Sequence, residues 1–197
     1  MSRASGFQLV ELVIVLAIVA MSALLLVPPV LSLSSNLRVD LAAHELAGAL
    51  AEAKSLARTR SAYVGLKLEV EDHRVAFACY RDGNGNGVRS ADIERGIDPQ
   101  VTPLRFFAHL GPRVSLGFPP GVAPRDPDDA SRRLDRLGDP IRFGDADLAS
   151  FGPLGTSTPG TLYVTDGRRE LIAVRVVGMT GKVRILRWDP AADRWRP

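Results

Sequence analysis

An uncharged apolar segment near the N-terminus constrains the fold of this chain more than any other feature. Residues 12–37 contain no charged side chain, and within 12–27 only Ser22 is polar. About 20 consecutive apolar residues are enough to span a bilayer as a helix. The sequence therefore predicts a membrane-spanning helix at the start of the chain, followed by a separate body.

A single carboxylate, Glu11, stands directly before this apolar segment. A charge at the centre of a membrane helix costs roughly 2.5–3.5 kcal/mol, so a charge that persists there usually has a partner. Two interpretations follow: an interfacial Glu on a simple anchor, or an acid that pairs with a positive group. Arg3 is the only base in front of it, which is unlike the basic start of an ordinary secretory signal.

Gly6, Phe7 and Glu11, followed by the uncharged helix, resemble the processing motif of type IV prepilins. The resemblance implies that a prepilin peptidase cuts between Gly6 and Phe7, and that Phe7 is then N-methylated. It also implies that Glu11 pairs with the N-terminal amine of a neighbouring subunit. Such a pair would fix the register between helices, because an ion pair in a low dielectric tolerates little displacement. Pro28-Pro29 fits either a helix end or a kink.

A second helical pattern covers residues 34–60, where small apolar residues recur at a spacing of three and four. These residues are Val39, Ala42, Leu46, Ala49, Ala53 and Leu56. Because the face is rich in alanine, a sheet or a neighbouring helix can approach it closely. We therefore expect this part of the helix to pack on the body.

From residue 62 onward the apolar period changes to two, which is typical of half-buried strands. A hairpin is predicted for 64–70 and 74–80, and further strands at 104–108, 113–118, 141–143, 161–165, 171–177 and 183–188. Asp166-Gly167 is a strong turn dipeptide between two of them. Residues 119–140, rich in Pro, Asp and Arg, are predicted to be a long exposed loop that is partly disordered.

Three C-terminal segments resemble the β-rich heads of GspH-type pseudopilins, which belong to type II secretion systems, and of FimT-type minor pilins. The segments are 151–155, 159–162 and 178–184. Together with the N-terminus they imply an α+β, pilin-like fold, in which a long N-terminal helix with a membrane-spanning first half packs on an antiparallel head. The implied divisions are a leader (1–6), an assembly helix (7–31), an amphipathic helix (32–60) and a head (61–197).

A Gly- and Asn-rich segment at 82–88 matches the front of a calcium loop. Asp82, Asn84 and Asn86 occupy the first, third and fifth positions, and Asp92 lies near the end. An EF-hand requires a bidentate Glu at the twelfth position, where this chain has Ile93. A calcium site and a plain hairpin turn are therefore both open, and the turn is the favoured interpretation.

The sequence offers little for catalysis. The three histidines are scattered, no metal-ligand spacing such as HExxH occurs, and the single cysteine, Cys79, lies in an apolar strand. The formal net charge is +3, from 25 basic and 22 acidic residues, too balanced to indicate a nucleic-acid-binding protein by itself. We predict that the chain is not an enzyme and needs no cofactor.

The C-terminal segment supports one alternative, because it interleaves basic residues with two tryptophans. Such a pattern suits phosphate contacts and base stacking. The basic residues are Lys182, Arg184, Arg187, Arg194 and Arg196. FimT-type minor pilins are associated with DNA capture, and the resemblance extends that role to these positions.

The predicted function is that of a minor pseudopilin of a type II secretion system, assembled into a periplasmic pseudopilus that supports protein export. The alternative is a FimT-like minor pilin that acts in DNA uptake or pilus priming. The implied partners are other pilin-like subunits, prepilin peptidase and inner-membrane lipid, with DNA only in the alternative. The implied location is the bacterial inner membrane, crossed once, with the head in the periplasm.

Overall fold

The computed structural model describes residues 9–71, 74–106, 114–144 and 146–197, with α1 side chains at 9–22 and 37–59. Helix α1 runs from Leu9 to Thr59 and passes through Pro28 and Pro29 without ending. Two compact units divide the chain, residues 1–37 and residues 38–197, and the boundary falls inside this helix. The second unit contains two antiparallel sheets.

The prediction of a membrane-spanning first half of the helix is wrong. Within the described residues, no helix is both long enough and apolar enough to cross a membrane. The pilin-like fold class as predicted is overturned by this finding. So is the single-pass inner-membrane location, which depended on the span.

The first sheet contains four strands in the order β3-β2-β1-β6. Strands β1 (Val64–Glu71) and β2 (Arg74–Arg81) form the predicted hairpin, in a register that pairs Val64 with Arg81. Strand β3 (Arg105–Phe106) extends the β2 edge, and β6 (Leu148–Phe151) extends the β1 edge. A short helix, α2 (Ser90–Glu94), lies between β2 and β3. Neither α2 nor β6 was predicted.

The second sheet has the order β10-β9-β8-β7-β4, and β5 also pairs with β7. Its bounds are β4 (Ser115–Leu116), β5 (Ile141–Arg142), β7 (Gly160–Thr165), β8 (Leu171–Val177), β9 (Lys182–Asp189) and β10 (Arg194–Arg196). The predicted meander is confirmed as β7, β8 and β9. The terminal strand β10 was not predicted.

One main core joins α1 to both sheets. The predicted stripe of α1 is buried, with Val39, Ala42, Leu46 and Ala53 at 0% exposure, and Leu56 is partly buried beside them. The sheets contribute alternating residues, for example Leu66 and Phe77 from the first and Leu162 and Val174 from the second. Alanine on the helix lets the strands approach closely, so the sequence pattern has a direct packing cause.

Residues 119–140 contain no helix or strand and are largely exposed. They lie over the second face of the second sheet, where a smaller core forms around the buried side chain of Leu134. Val122 and Phe118 pack against the same core. Burial of these apolar side chains and several ion pairs hold the segment against the sheet.

Candidate functional site

The two predicted processing residues, Gly6 and Phe7, lie outside the described residues. Glu11 is described: its side chain is exposed, and it is the acidic residue of the first turn of α1. A carboxylate at this end interacts favourably with the helix dipole, by about 0.3–1 kcal/mol when exposed. Its position leaves the carboxylate available to a positive group from outside the helix.

The helix around Glu11 is apolar on every side. Its large apolar side chains between Leu9 and Met21 are 45–78% exposed. Because successive residues of a helix point 100° apart, a run this dense leaves no polar face. Ser22 does not supply one, since its hydroxyl donates to the carbonyl of Ile18 within the helix at 2.8 Å. This segment is a surface that gains free energy when other apolar groups cover it.

The predicted DNA-contacting residues are not brought together. Strand residues that alternate along β9 point to opposite faces, so Lys182 and Arg184 lie on one face and Arg187 on the other. Arg187 is engaged by Asp40 of α1 and by Glu170, with 2.7 Å between Nη1 and the Glu170 carboxylate. Arg196 pairs with Asp189.

The two tryptophans are committed to packing. Trp188 is 6% exposed in the smaller core, and its ring centroid lies 5.2 Å from that of Trp195 in an edge-to-face arrangement. The indole N–H of Trp195 donates to the Arg125 carbonyl at 2.7 Å. Both rings therefore pack in or against the smaller core, and the interleaved pattern serves the fold.

The predicted calcium residues do converge, but their donors and acceptors already satisfy one another. The Nδ2 groups of Asn84 and Asn86 donate to Asp92 at 3.3 and 3.0 Å. The Asp82 carboxylate accepts the backbone N–H groups of three loop residues at 2.7–3.1 Å. These hydrogen bonds, first from Asn86 and then from Asn84, hold the pKa of Asp92 below its ordinary value.

Asp98 is a further member of this loop that the sequence pattern missed. It is 1% exposed and accepts the backbone N–H of Gly83 at 3.0 Å and of Arg89 at 2.9 Å. No motif spacing marks it, because its partners are main-chain groups. In the described part of the chain, no group of three or more His, Cys, Asp or Glu side chains is arranged to hold a metal ion.

Cys79 lies in β2 at 0% exposure, within the main core. Burial raises the pKa of its thiol to about 11, and the Thr102 hydroxyl offsets the effect only in part. A thiol of this kind is protonated at neutral pH and is not a nucleophile. The prediction that the chain is not an enzyme stays a prediction.

No protein-family model matches this chain, and comparisons with curated proteins and with solved structures find no significant match.

Proposed function

We propose that this protein is a subunit of a type IV pilin-like filament, and specifically a minor pseudopilin of a type II secretion system. The observation that carries the proposal is the helical segment 9–22, which is apolar all round and exposed, with Glu11 as its one charged side chain. The prepilin-like residues Gly6 and Phe7 in front of it add support from the sequence.

In this proposal the occupants of the apolar surface are the corresponding helices of neighbouring subunits. Fully burying one large apolar side chain contributes about 1.5–3 kcal/mol, so a segment with ten of them gives a strong but non-directional attraction. Attraction of this kind does not set how far one helix slides along the next. A directional contact is needed for that purpose.

Glu11 supplies the directional contact. After cleavage behind Gly6, the amine of Phe7 is four positions away from Glu11, and the amine of one subunit pairs with the Glu11 of another. Between apolar helices the dielectric is low, so an unpaired carboxylate is penalised by several kcal/mol and a misregistered neighbour is rejected. The prepilin peptidase and the other filament subunits are the partners in this proposal.

The alternative role, in DNA uptake or pilus priming, has weaker support. Lys182, Arg184 and Arg194 are exposed and able to reach phosphates. Arg187 and Arg196 are neutralised by acids of the same chain, and both tryptophans are packed. A gel shift at low salt tests this alternative directly, because phosphate contacts weaken as salt rises.

The experiment for the main proposal measures incorporation of the chain into sheared filaments. Glu11→Gln removes the charge and keeps the size, and Glu11→Val removes all polarity. We expect both variants to reduce incorporation by about tenfold or more, as expected when one partner of a buried pair is removed. The matched control is Glu94→Gln, which removes an exposed carboxylate of α2 and should assemble normally. Normal assembly of Glu11→Gln would refute the proposed role of the carboxylate.

A further inference from the structure

Two apolar side chains of the second unit are far more exposed than the others. Leu154 is 95% exposed and Met179 is 93% exposed, whereas the next large apolar side chain of the described residues 38–197, Leu41, is 58% exposed. Isolated exposed apolar residues are common on proteins and need no explanation. These two call for an explanation because they belong to two turns that contact each other.

Leu154 and Met179 belong to two turns that contact each other. Ser157 donates to the carbonyl of Gly178 through its N–H at 3.0 Å and through its hydroxyl at 2.7 Å. A Cβ atom at Gly181 would lie 3.3 Å from the carbonyl oxygen of Gly155. The two side chains therefore project from one continuous surface, which we name the Leu154–Met179 surface.

Both turns are held in place. Gly155 and Gly181 have positive φ values of 91° and 56°, in the region that glycine adopts without strain. Each also donates its N–H to a carbonyl three or four positions earlier, at 3.0 and 2.8 Å. Lys54 of α1 donates to the carbonyls of Thr180 and Gly181 at 2.8 and 3.2 Å. A surface fixed in this way loses little entropy on binding.

The surroundings of this surface are basic. The segments that form it are 152–159, 178–182 and the end of α1 with the residues after it, 54–63, where Tyr63 contacts the Gly152 turn. They carry four basic residues and no acidic one: Lys54, Arg58, Arg60 and Lys182. Charge complementarity therefore favours a partner with acidic residues around an apolar depression.

An anionic lipid surface shares this chemistry but fits less well. Leu154 and Met179 offer roughly eight apolar side-chain atoms, fewer than one myristoyl chain, which alone gives only marginal membrane binding. A protein pocket, by contrast, can draw much of its affinity from one or two well-packed anchors. The protein partner is the better match.

We propose that the Leu154–Met179 surface docks a neighbouring filament subunit whose facing surface is apolar and acidic. This inference depends on the proposed function, because that function supplies the neighbour. Leu154 and Met179 act as the anchors, and Lys182 contributes charge at the rim.

Photo-crosslinking of the full-length chain in detergent tests this inference. A maleimide–benzophenone label is attached to Leu154→Cys, Met179→Cys, Leu137→Cys or Leu16→Cys, and buried Cys79 can remain in place. Each labelled chain is illuminated with purified pilin-like subunits of the same organism, or with anionic phospholipid vesicles alone. Leu137, which is 37% exposed on residues 119–140, is the matched control, and Leu16 in the apolar helix reports assembly itself.

We expect the labels at 154 and 179 to crosslink to an acidic face of another subunit, and the label at 137 to give no crosslink. Leu154→Ser combined with Met179→Ser should lower the affinity about tenfold. Lys182→Glu should lower the affinity about threefold, and added salt should also lower it. Both serine substitutions are at exposed positions, so the fold is retained.

The outcomes separate this inference from the proposed function. Crosslinks at 16 without crosslinks at 154 and 179 would overturn the docking surface and leave the filament proposal standing. Crosslinks at none of the three positions would overturn both. Adducts of 154 and 179 only with lipid, or only with copies of this chain, would overturn the stated partner.

Discussion

The carboxylate of Asp40 in α1 forms an ion pair with the guanidinium of Arg187 in β9, across 147 positions of the sequence. The same guanidinium also binds Glu170, which follows the turn between β7 and β8. One side chain of the second sheet is thereby connected to the helix and to the residue that directly precedes β8. Arg187 is therefore a structural residue rather than part of a free basic surface.

Replacing this guanidinium should destabilise the second unit. Arg187→Met keeps the aliphatic stem and removes both ion pairs, leaving two carboxylates without their cation. Because the side chains of Arg187 and Asp40 are 40% and 34% exposed, solvent screens the pairs. We expect a loss of roughly 1–2 kcal/mol in the free energy of unfolding, measured by urea denaturation.

Arg184→Met is the control for that experiment, since Arg184 is on the same strand but exposed on the opposite face. Its free energy of unfolding should change by less than about 0.5 kcal/mol. Equal effects of the two substitutions would show that the ion pairs with Asp40 and Glu170 contribute nothing to the free energy of unfolding.

Two glycines should respond to alanine in opposite directions. A Cβ atom at Gly160 would lie 2.3 Å from Phe143 Cδ1 and 2.4 Å from the carbonyl oxygen of Arg142, so the backbone of β5 would have to move. Gly160→Ala should cost about 1–3 kcal/mol. Gly48, exposed in α1, has no atom within 4 Å of that position, and Gly48→Ala should stabilise by about 0.5–1 kcal/mol. Thermal unfolding of both variants tests these two expectations. Destabilisation by Gly48→Ala would contradict the second of them.

The strands that sequence could predict are those with a clear alternation. Every second residue faces the main core in five strands: β1, β2, β7, β8 and β9. This alternation can be recognised from the sequence of each strand alone. β6 was missed because it has only four residues, too few to show a period, and its strand character comes from pairing with β1. β10 has three residues, and its strand character comes from pairing with β9.

Residues 119–140 are held by tertiary contacts that composition does not reveal. Nothing local in a Pro- and Asp-rich segment indicates that Asp193, some sixty positions later, binds both Arg125 and Arg133, at 2.7 and 2.9 Å. Arg175 of β8 binds Asp128 and donates to the Pro127 carbonyl in addition. Such pairs become visible only after the second sheet has formed.

Asp193→Asn should loosen this segment without unfolding the sheet. Asparagine tolerates the positive φ of 48° at this position but cannot replace the charge. Both ion pairs of Asp193 are lost, which raises the open population of the segment roughly tenfold. Limited trypsin digestion should show faster cleavage between residues 132 and 136 by a similar factor. Asp135→Asn, whose hydrogen bonds are local, should digest like the unmodified chain; faster digestion of both variants would argue against a specific role of Asp193.

The loop around Asp92 should contribute a pH-dependent stability. Its pKa is lowered in the folded chain by the amide of Asn86 first and of Asn84 second, so the folded carboxyl binds its proton less tightly than the unfolded one. The stabilisation is complete above the unfolded pKa of about 4 and is lost as pH falls through the lower folded pKa.

An NMR titration of the Asp92 carboxyl measures this shift, and Asn86→Ala should move the midpoint back toward 4. Chemical denaturation between pH 2 and 6 should show a smaller loss of stability at acid pH in Asp92→Asn than in the unmodified chain. A midpoint of Asp92 at or above 4 would contradict the hydrogen-bonded arrangement.

For the candidate site, the sequence indicates which residues to consider, and the structure shows which groups surround each of them. Glu11 could be found from its place before an uncharged run, and its exposure agrees with a carboxylate that needs an outside partner. The basic C-terminal residues looked like one group because they are close in sequence, but strand alternation and ion pairs to Asp40 and Asp189 separate them. Leu154 and Met179 left no local signal, because two turns 25 positions apart come together only in the folded unit.

The most direct test of the filament proposal is the mass of the mature protein. The full-length chain is produced together with a prepilin peptidase and, as control, without it, and the N-terminal peptide is analysed by mass spectrometry. The proposal predicts that with the peptidase residues 1–6 are absent and the chain begins at Phe7 carrying one added methyl group, and that without it residues 1–6 remain. A mature chain that begins at any other residue would contradict it.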